Sequence, residues 1–518
     1  MRLRSRKQEK HIIENISDDH DVNLSEVLAE NIELTSQMLG HSEDLVIRQF
    51  QLNDIKAALM YIDGLINQQT VYIDLLHELM LDSSELKRTN NKAILPAIKA
   101  NLLSVGSVTE VNTIASMLKA LLSGDSILLV EQQISGLALN TKGGESRGIE
   151  SVTTQEVVRG PKEAFTERVA TNVSLIRRRI KDPNLWMKKY CIGEKTQTDV
   201  IVTYLNGVAN DDIVQELDKR LNDIKIDAIL EGGYIEELVQ DDTYTPFPTV
   251  YNSERPDAIS AGILEGKIAI IVDGTPFVLL IPALFVDFLQ SSEDYYQRSD
   301  IATLLRLLRT LAFFLALLTP SLYIALTIFH QEMVPTTLLI SLTAQREGIP
   351  FPALVEALLM EVTFELLREA GIRLPSTVGS AISIVGALVL GQAAVDAGIV
   401  SATMVIVVSL TAICSFIFPS YNLAISVRIL RFGFMFLAAS FGLYGIFTGM
   451  VFMVLHLNSL RSFGIPYLTP LAPFVWQGQK DVFVRAPLWK KRERPHLISQ
   501  KNIVKNRTHA PEPPNGGR

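Results

Sequence analysis

Missing charge constrains this chain most. Four segments, 310–329, 374–395, 397–418 and 432–455, contain no Asp, Glu, Lys or Arg. About 20 helical residues cross the ~30 Å hydrocarbon layer of a bilayer, so each segment is a candidate span. The first ~300 residues mix charge with short apolar runs, as a water-soluble α/β body does. The chain therefore reads as an α/β cytoplasmic N-terminal domain of two subdomains followed by an all-α polytopic membrane domain. That architecture fits a receptor, a channel or a regulated transporter better than a soluble enzyme.

Within this frame, residues 1–40 read as a polar, mobile or loosely helical arm. Residues 41–150 form a first subdomain and 151–300 a second. The membrane domain occupies 301–468, and 469–518 is a basic cytoplasmic tail. The pattern over 42–122 is helical. Residues 126–130 and 136–140 read as strands around a turn, and 141–150 as a loop. A Gly-Pro break at 160–161 leads into a helix ending near residue 180, where Arg177, Arg178 and Arg179 read as a solvated face. Residues 198–205 alternate as a strand and 210–222 form an amphipathic helix. Two β-branched runs flank Asp273-Gly274, the signature of a tight hairpin over 265–282.

Charge is unevenly distributed. Of the formal net charge of −8, residues 457–518 hold eleven Lys/Arg against three Asp/Glu, a net +8, which leaves −16 on the first 456 residues. A basic tail after an apolar span suits the anionic lipid of a cytoplasmic leaflet, so membrane lipid is an expected partner. The acidic bulk argues against nucleic acid. The N-terminus is basic but lacks the apolar stretch of roughly 7–15 residues that makes a secretory signal. The first segment able to insert is then 310–329, preceded by Arg298, Arg306 and Arg309, and everything before it is expected to stay in the cytoplasm. Four crossings return the tail to the same side.

Cys191 and Cys414 lie in the soluble body and in an apolar span, so a disulfide is not expected, and neither has metal-ligand neighbours. Nucleotide, serine-hydrolase and zinc motifs are missing, and 141–148 lacks the Gly-Lys-Ser/Thr ending of a phosphate loop. No catalytic residue, metal or cofactor is expected.

Polar residues inside the apolar half are the pore or gating candidates. Pro320 sits mid-span and should kink it. As a helix, 351–370 places Glu361, Glu365, Arg368 and Glu369 on one stripe, with Glu356 on another side. A carboxylate at membrane depth is expensive, and in a ring of subunits such acids become a cation filter. The competing reading is an amphipathic interfacial helix with Glu365–Arg368 and Glu369–Arg373 pairs in water. Arg428 and Arg431 read first as flank residues of the last span, or else as partners of these acids. Glu254, Arg255 and Asp257 read as a loop-fixing ion network or a ligand loop. Glu293 and Asp294, beside Tyr295 and Tyr296, read as an interfacial anchor or as a coupling point between the two domains.

Six ordered motifs, RGPKEAFTE (159–167), PFPTVYNSERPD (246–257), EGKIAIIVDGTPFVL (265–279), SEDYY (292–296), REAGIRLP (368–375) and HLNSLRSFGIPYL (456–468), resemble the A subunits of GerA-type spore germinant receptors, over about residues 40–480. Lys162 and Ala164 replace an Arg and a Gly of the usual motif, and Ser253 replaces a Thr. The resemblance implies a multi-pass protein of the spore inner membrane that senses nutrients and triggers germination. It also implies a transporter-like B subunit and a lipoprotein C subunit as partners, a nutrient germinant held mainly by the B subunit, and a homo-oligomer forming a ligand-gated ion channel. The alternatives are a non-conducting scaffold for the other subunits, or a secondary transporter.

Overall fold

The computed structural model describes residues 22–52, 55–76, 94–101, 107–143, 152–373, 391–495, 497–499 and 501–510. The N-terminal half is built twice on one plan. The first subdomain runs α1 (Leu28–Met38), β1 (Leu45–Leu52), β2 (Ile55–Ile62), α2 (Ile94–Asn101), β3 (Val108–Val111), α3 (Ile114–Leu121), β4 (Ser126–Val130) and β5 (Gly136–Leu139). The second runs α4 (Val169–Arg179), β6 (Leu185–Ile192), β7 (Thr198–Leu205), α5 (Asp211–Asp223), α6 (Gly232–Val239), β8 (Tyr251–Ser253), α7 (Pro256–Leu264), β9 (Ile268–Val272) and β10 (Val278–Ile281). Both sheets are five-stranded, with orders β1-β2-β4-β5-β3 and β6-β7-β9-β10-β8, which are the same topology. All pairs between these strands are antiparallel.

Two expectations fail here. The helical reading of 42–62 is wrong, because 45–52 and 55–62 pair as a hairpin with Leu45 opposite Ile62. Short apolar runs carry no decisive period, and pairing of β2 with the distant β4 settles the matter. Nor is 1–40 a loose arm throughout: α1 buries Leu28 against the first sheet, while residues 1–21 lie outside the described residues. The hairpin at Asp273-Gly274 is present, with Leu279 opposite Ile270 and Gly274 at φ +90°, a conformation glycine adopts without Cβ strain.

Arg177 does not face solvent. Its side chain is fully buried between the subdomains, where Nε and Nη2 reach the two oxygens of Asp44 at 2.9 and 3.0 Å and Nη1 reaches the Leu185 carbonyl at 2.9 Å. Gly40, at φ +66°, lies so close to Trp186 that a Cβ there would sit 2.2 Å from the indole. The two subdomains thus share a desolvated fork-to-fork ion pair and a packed aromatic contact.

The helical half begins with α8 (Ser299–Ile328) and continues through α9 (Thr336–Arg346), α10 (Ala353–Arg373), α11 (Gly391–Asp396), α12 (Ala402–Phe416) and α13 (Tyr421–Ser459). Residues 374–390 of the expected second span lie outside the described residues. Helices α8 and α13 are long and apolar enough to cross a membrane, but α13 is not straight. Gly442 sits at φ +60°, ψ −140°, and Phe434 and Leu437 pack directly against Gly449 and Gly445. In a continuous helix Phe434 and Gly449 would be about 22 Å apart. The expected span 432–455 is therefore a hairpin of two helical limbs that turns at Gly442, against Phe329 and His330 at the far end of α8. Both open ends of the hairpin return to the second subdomain: Ser426 Oγ donates to the Pro246 carbonyl, and His456 Nε2 lies 2.9 Å from Thr245 Oγ1.

Helix α10 packs one face on its neighbours and leaves Leu359, Val362 and Leu366 exposed on another. Glu356 meets Ser401 at the start of α12, Glu361 meets Thr411 and Arg431, and Glu365 meets Arg428. α10 therefore runs alongside α12 and parallel to it, and antiparallel to the first limb of α13. One apolar core joins these helices to Phe247, Phe285, Phe288 and Tyr467 beneath them.

Candidate functional site

Pro320 lacks a backbone N–H, so the carbonyl of Ala316 has no helical partner within α8. Arg431 supplies one: its Nε donates to Ala316 O at 2.7 Å. Its Nη1 reaches Glu361 Oε2 at 2.6 Å, with both side chains only 1% exposed. Thr411 adds a 3.2 Å hydrogen bond to the other Glu361 oxygen. Three helices are thus tied by one guanidinium whose charge is matched locally. Toward the subdomain end, Arg428 reaches Glu365 at 2.8 Å, and Arg368 reaches the same carboxylate at 3.1 Å. The Arg428 and Arg368 guanidiniums both lie 5.9 Å from the centre of the Tyr421 ring. Glu369 pairs with Arg373 at 2.7 Å on the exposed surface.

The reading of Arg428 and Arg431 as flank residues is overturned. Both lie inside the first limb of α13, buried, because the acids of α10 face them there. The signal was present in spacing: acids four apart and arginines three apart can face each other on antiparallel helices. Glu356, on the other side of α10, is fully buried and holds Ser401 through that residue's N–H and Oγ, the former at 2.6 Å.

At the root of α8 lies a second ionic cluster, which the sequence only hinted at through Glu293 and Asp294. Asp294 is 1% exposed and accepts from Arg306 Nε at 2.9 Å and Arg309 Nη1 at 2.8 Å. Arg306 also reaches Asp481 of the tail at 3.0 Å. Tyr295 donates to Asp481 at 2.7 Å, and Lys491 bridges Asp481 and Glu265, the latter at 3.2 Å. Burial pushes the Glu265 carboxyl up, but Lys491, Lys505 and Lys267 outweigh it and hold the group well below the usual carboxylate range. Burial likewise disfavours the Lys491 ammonium, yet Glu265, Tyr295 and Asp481 hold its pKa well above normal. The hydroxyls of both tyrosines are spent on protein partners: Tyr295 sits in this cluster and Tyr296 donates to Asp257 at 2.5 Å. Glu293, half-buried, accepts from Gln297 at 2.6 Å and takes no part in the cluster. Part of the tail's basic charge is used within the chain. Lys491, Lys501 and Lys505 pair with Glu265 and Asp211 of the second subdomain.

Glu254, Arg255 and Asp257 fix a loop. Glu254 accepts from the backbone N–H groups of Thr153, Thr154 and Gln155. Arg255 pairs with Asp257 at 2.8 Å and reaches the Gln155 and Pro161 carbonyls. With Tyr296 on Asp257, this latch joins residues 153–161 to the approach to α8.

Comparisons with known proteins agree with the motifs. The family described as Bacillus/Clostridium GerA spore germination protein matches residues 33–497. Spore germination protein KA of Bacillus subtilis is 48% identical over 96% of this chain and 91% of its own length. Spore germination protein GerLA of Bacillus cereus is 40% identical over 93% and 96%, and spore germination protein A1 of B. subtilis 38% over 93% and 97%. The solved N-terminal domain of the A subunit of the Bacillus megaterium germinant receptor GerK3 is 41% identical, covering 52% of this chain and 99% of that one, with a TM-score of 0.43.

Proposed function

The chain belongs to the GerA spore germination family, and from that premise we propose that it is the A subunit of a nutrient germinant receptor, a membrane-spanning, non-enzymatic subunit of an oligomeric, ligand-gated cation channel. In this reading it sits in the spore inner membrane with both the N-terminal domain and the tail in the cytoplasm. It assembles with a B subunit, which holds the nutrient, and a lipoprotein C subunit.

The observation that carries the channel reading is the graded charge seam along α10. Side-chain exposure rises from 1% at Glu361 through 25% at Glu365 to 54% at Glu369. Glu361 is held by Arg431 and Glu365 by Arg428 and Arg368, so the acid most open to a shared path between subunits is Glu369, paired only with the exposed Arg373, and repetition around an axis would make a ring of it. A nutrient bound to a partner favours the open arrangement by its differential affinity for the two states. The test is potassium efflux from liposomes containing this chain with its B and C partners and a nutrient panel. Glu369→Gln, an exposed change, should lower efflux while complex assembly stays normal. Unchanged efflux in a normally assembled complex removes this acid from the path and favours the scaffold reading.

A further inference from the structure

The returning tail and the second subdomain enclose a cavity of about 210 Å³. Its floor is apolar, built from Leu284, Val286, Val482 and Ile498, all at least nine-tenths buried. Thr469, 4% exposed, lines it with a hydroxyl that has no hydrogen-bond partner. At the mouth, Lys480 and Arg492 are exposed and have no carboxylate partner among the described residues, whereas Glu265, Asp287 and Asp481 on the same walls are each paired with a lysine. Glu493 also lines the cavity, but the six Lys/Arg of the lining outnumber its four Asp/Glu, so the site is net cationic. The volume falls below the roughly 300–1,000 Å³ of sites for drug-sized molecules.

We propose that this cavity binds a compact organic anion: an apolar body on the floor, a carboxylate between Lys480 and Arg492, and the Thr469 hydroxyl as its hydrogen-bond donor. The site goes beyond the receptor reading and does not depend on it. Its wall residue Asp481 is the one that Arg306 grips at the root of α8, so an occupant stands one residue from the first transmembrane helix.

The test is equilibrium dialysis of the full chain in phosphatidylcholine nanodiscs against radiolabelled hexanoate and benzoate, with hexanol and benzamide as neutral controls. Saturable binding of a carboxylate at one site per chain is expected, weakened by about tenfold or more in the Lys480→Gln/Arg492→Gln variant, since two charge-assisted contacts are lost. Both positions are exposed, so the variant should melt like the parent, and Val475→Phe, which fills the cavity, should abolish binding independently. The proposal is overturned if neither carboxylate saturates, if the neutral controls bind equally well, or if the charge-neutralised mouth binds like the parent. Displacement of the probe by phosphatidylglycerol in the nanodisc would also overturn it, by making a lipid headgroup the occupant.

Discussion

Removing one partner of the Arg431–Glu361 pair should be far more damaging than removing both. Each side chain is 1% exposed and separated by 2.6 Å, so Glu361→Gln leaves a guanidinium buried without its counter-charge, a change that costs about 3–5 kcal/mol in soluble cores. Arg431→Met strands the Glu361 carboxylate in the same way. It also removes the donor to Ala316 O, the carbonyl that Pro320 leaves free, adding about 1–3 kcal/mol for an unsatisfied buried acceptor. The double variant Glu361→Gln/Arg431→Met keeps the carbonyl defect but has no orphan charge, so it should fall closer to the parent than Arg431→Met alone. The coupling energy should be at least ~2 kcal/mol in a double-mutant cycle, read from denaturation midpoints of the full chain in mixed micelles. Additive single effects, or singles within about 0.5 kcal/mol of the parent, would refute the view that this pair ties α8, α10 and α13 together.

Other outcomes follow from the same geometry. Gly442→Ala should lower folded yield in detergent, because its Cβ would meet the His330 ring at 2.7 Å and a φ of +60° costs about 1–2 kcal/mol for a non-glycine residue; adding His330→Ala should relieve the clash but not the backbone strain, so full rescue would contradict the turn. Arg177→Met should destabilise the N-terminal domain by about 3–5 kcal/mol through the orphaned Asp44, and a chemical denaturation curve that does not move would argue against the clamp. Burial, with help from the neighbouring Glu231 charge, pushes Glu236 up to about 7. Its folded form therefore holds a proton that the unfolded chain gives up near 4.5, and stability falls as pH rises from there toward 7. Glu236→Gln should gain about 1–3 kcal/mol over the parent at pH 8 and nothing at pH 4, and equal melting shifts at both pH values would refute the assignment.

Much of the architecture was legible because it depends on local composition. Charge-free runs announce apolar helices, as at 310–328 and 402–416, and Asp273-Gly274 between β-branched runs makes a hairpin whatever surrounds it. The strands at 45–62 were not legible, since two eight-residue apolar runs fit a helix equally well until β4 pairs with them. Arg177 was misread for a similar reason: nothing near it in sequence marks Asp44, 133 residues away, as its counter-charge. The candidate site was half legible. The acids of α10 stood out as expensive, but their status depended on whether a base would meet them.

The sequence by itself determined the division into a charged α/β half and an apolar helical half, because the free energy of leaving water is set residue by residue. It also determined the family, through long motifs that no short-range rule produces by chance. Only the tertiary structure decided that 432–455 doubles back at Gly442 instead of forming one straight helix, that 351–370 packs its acidic face against α12 and α13, and that the basic tail returns to the acidic subdomain. Each of those depends on where a distant partner comes to rest. A buried charge is tolerable only when its counter-charge is within hydrogen-bond distance, and that distance is a property of packing rather than of spacing along the chain.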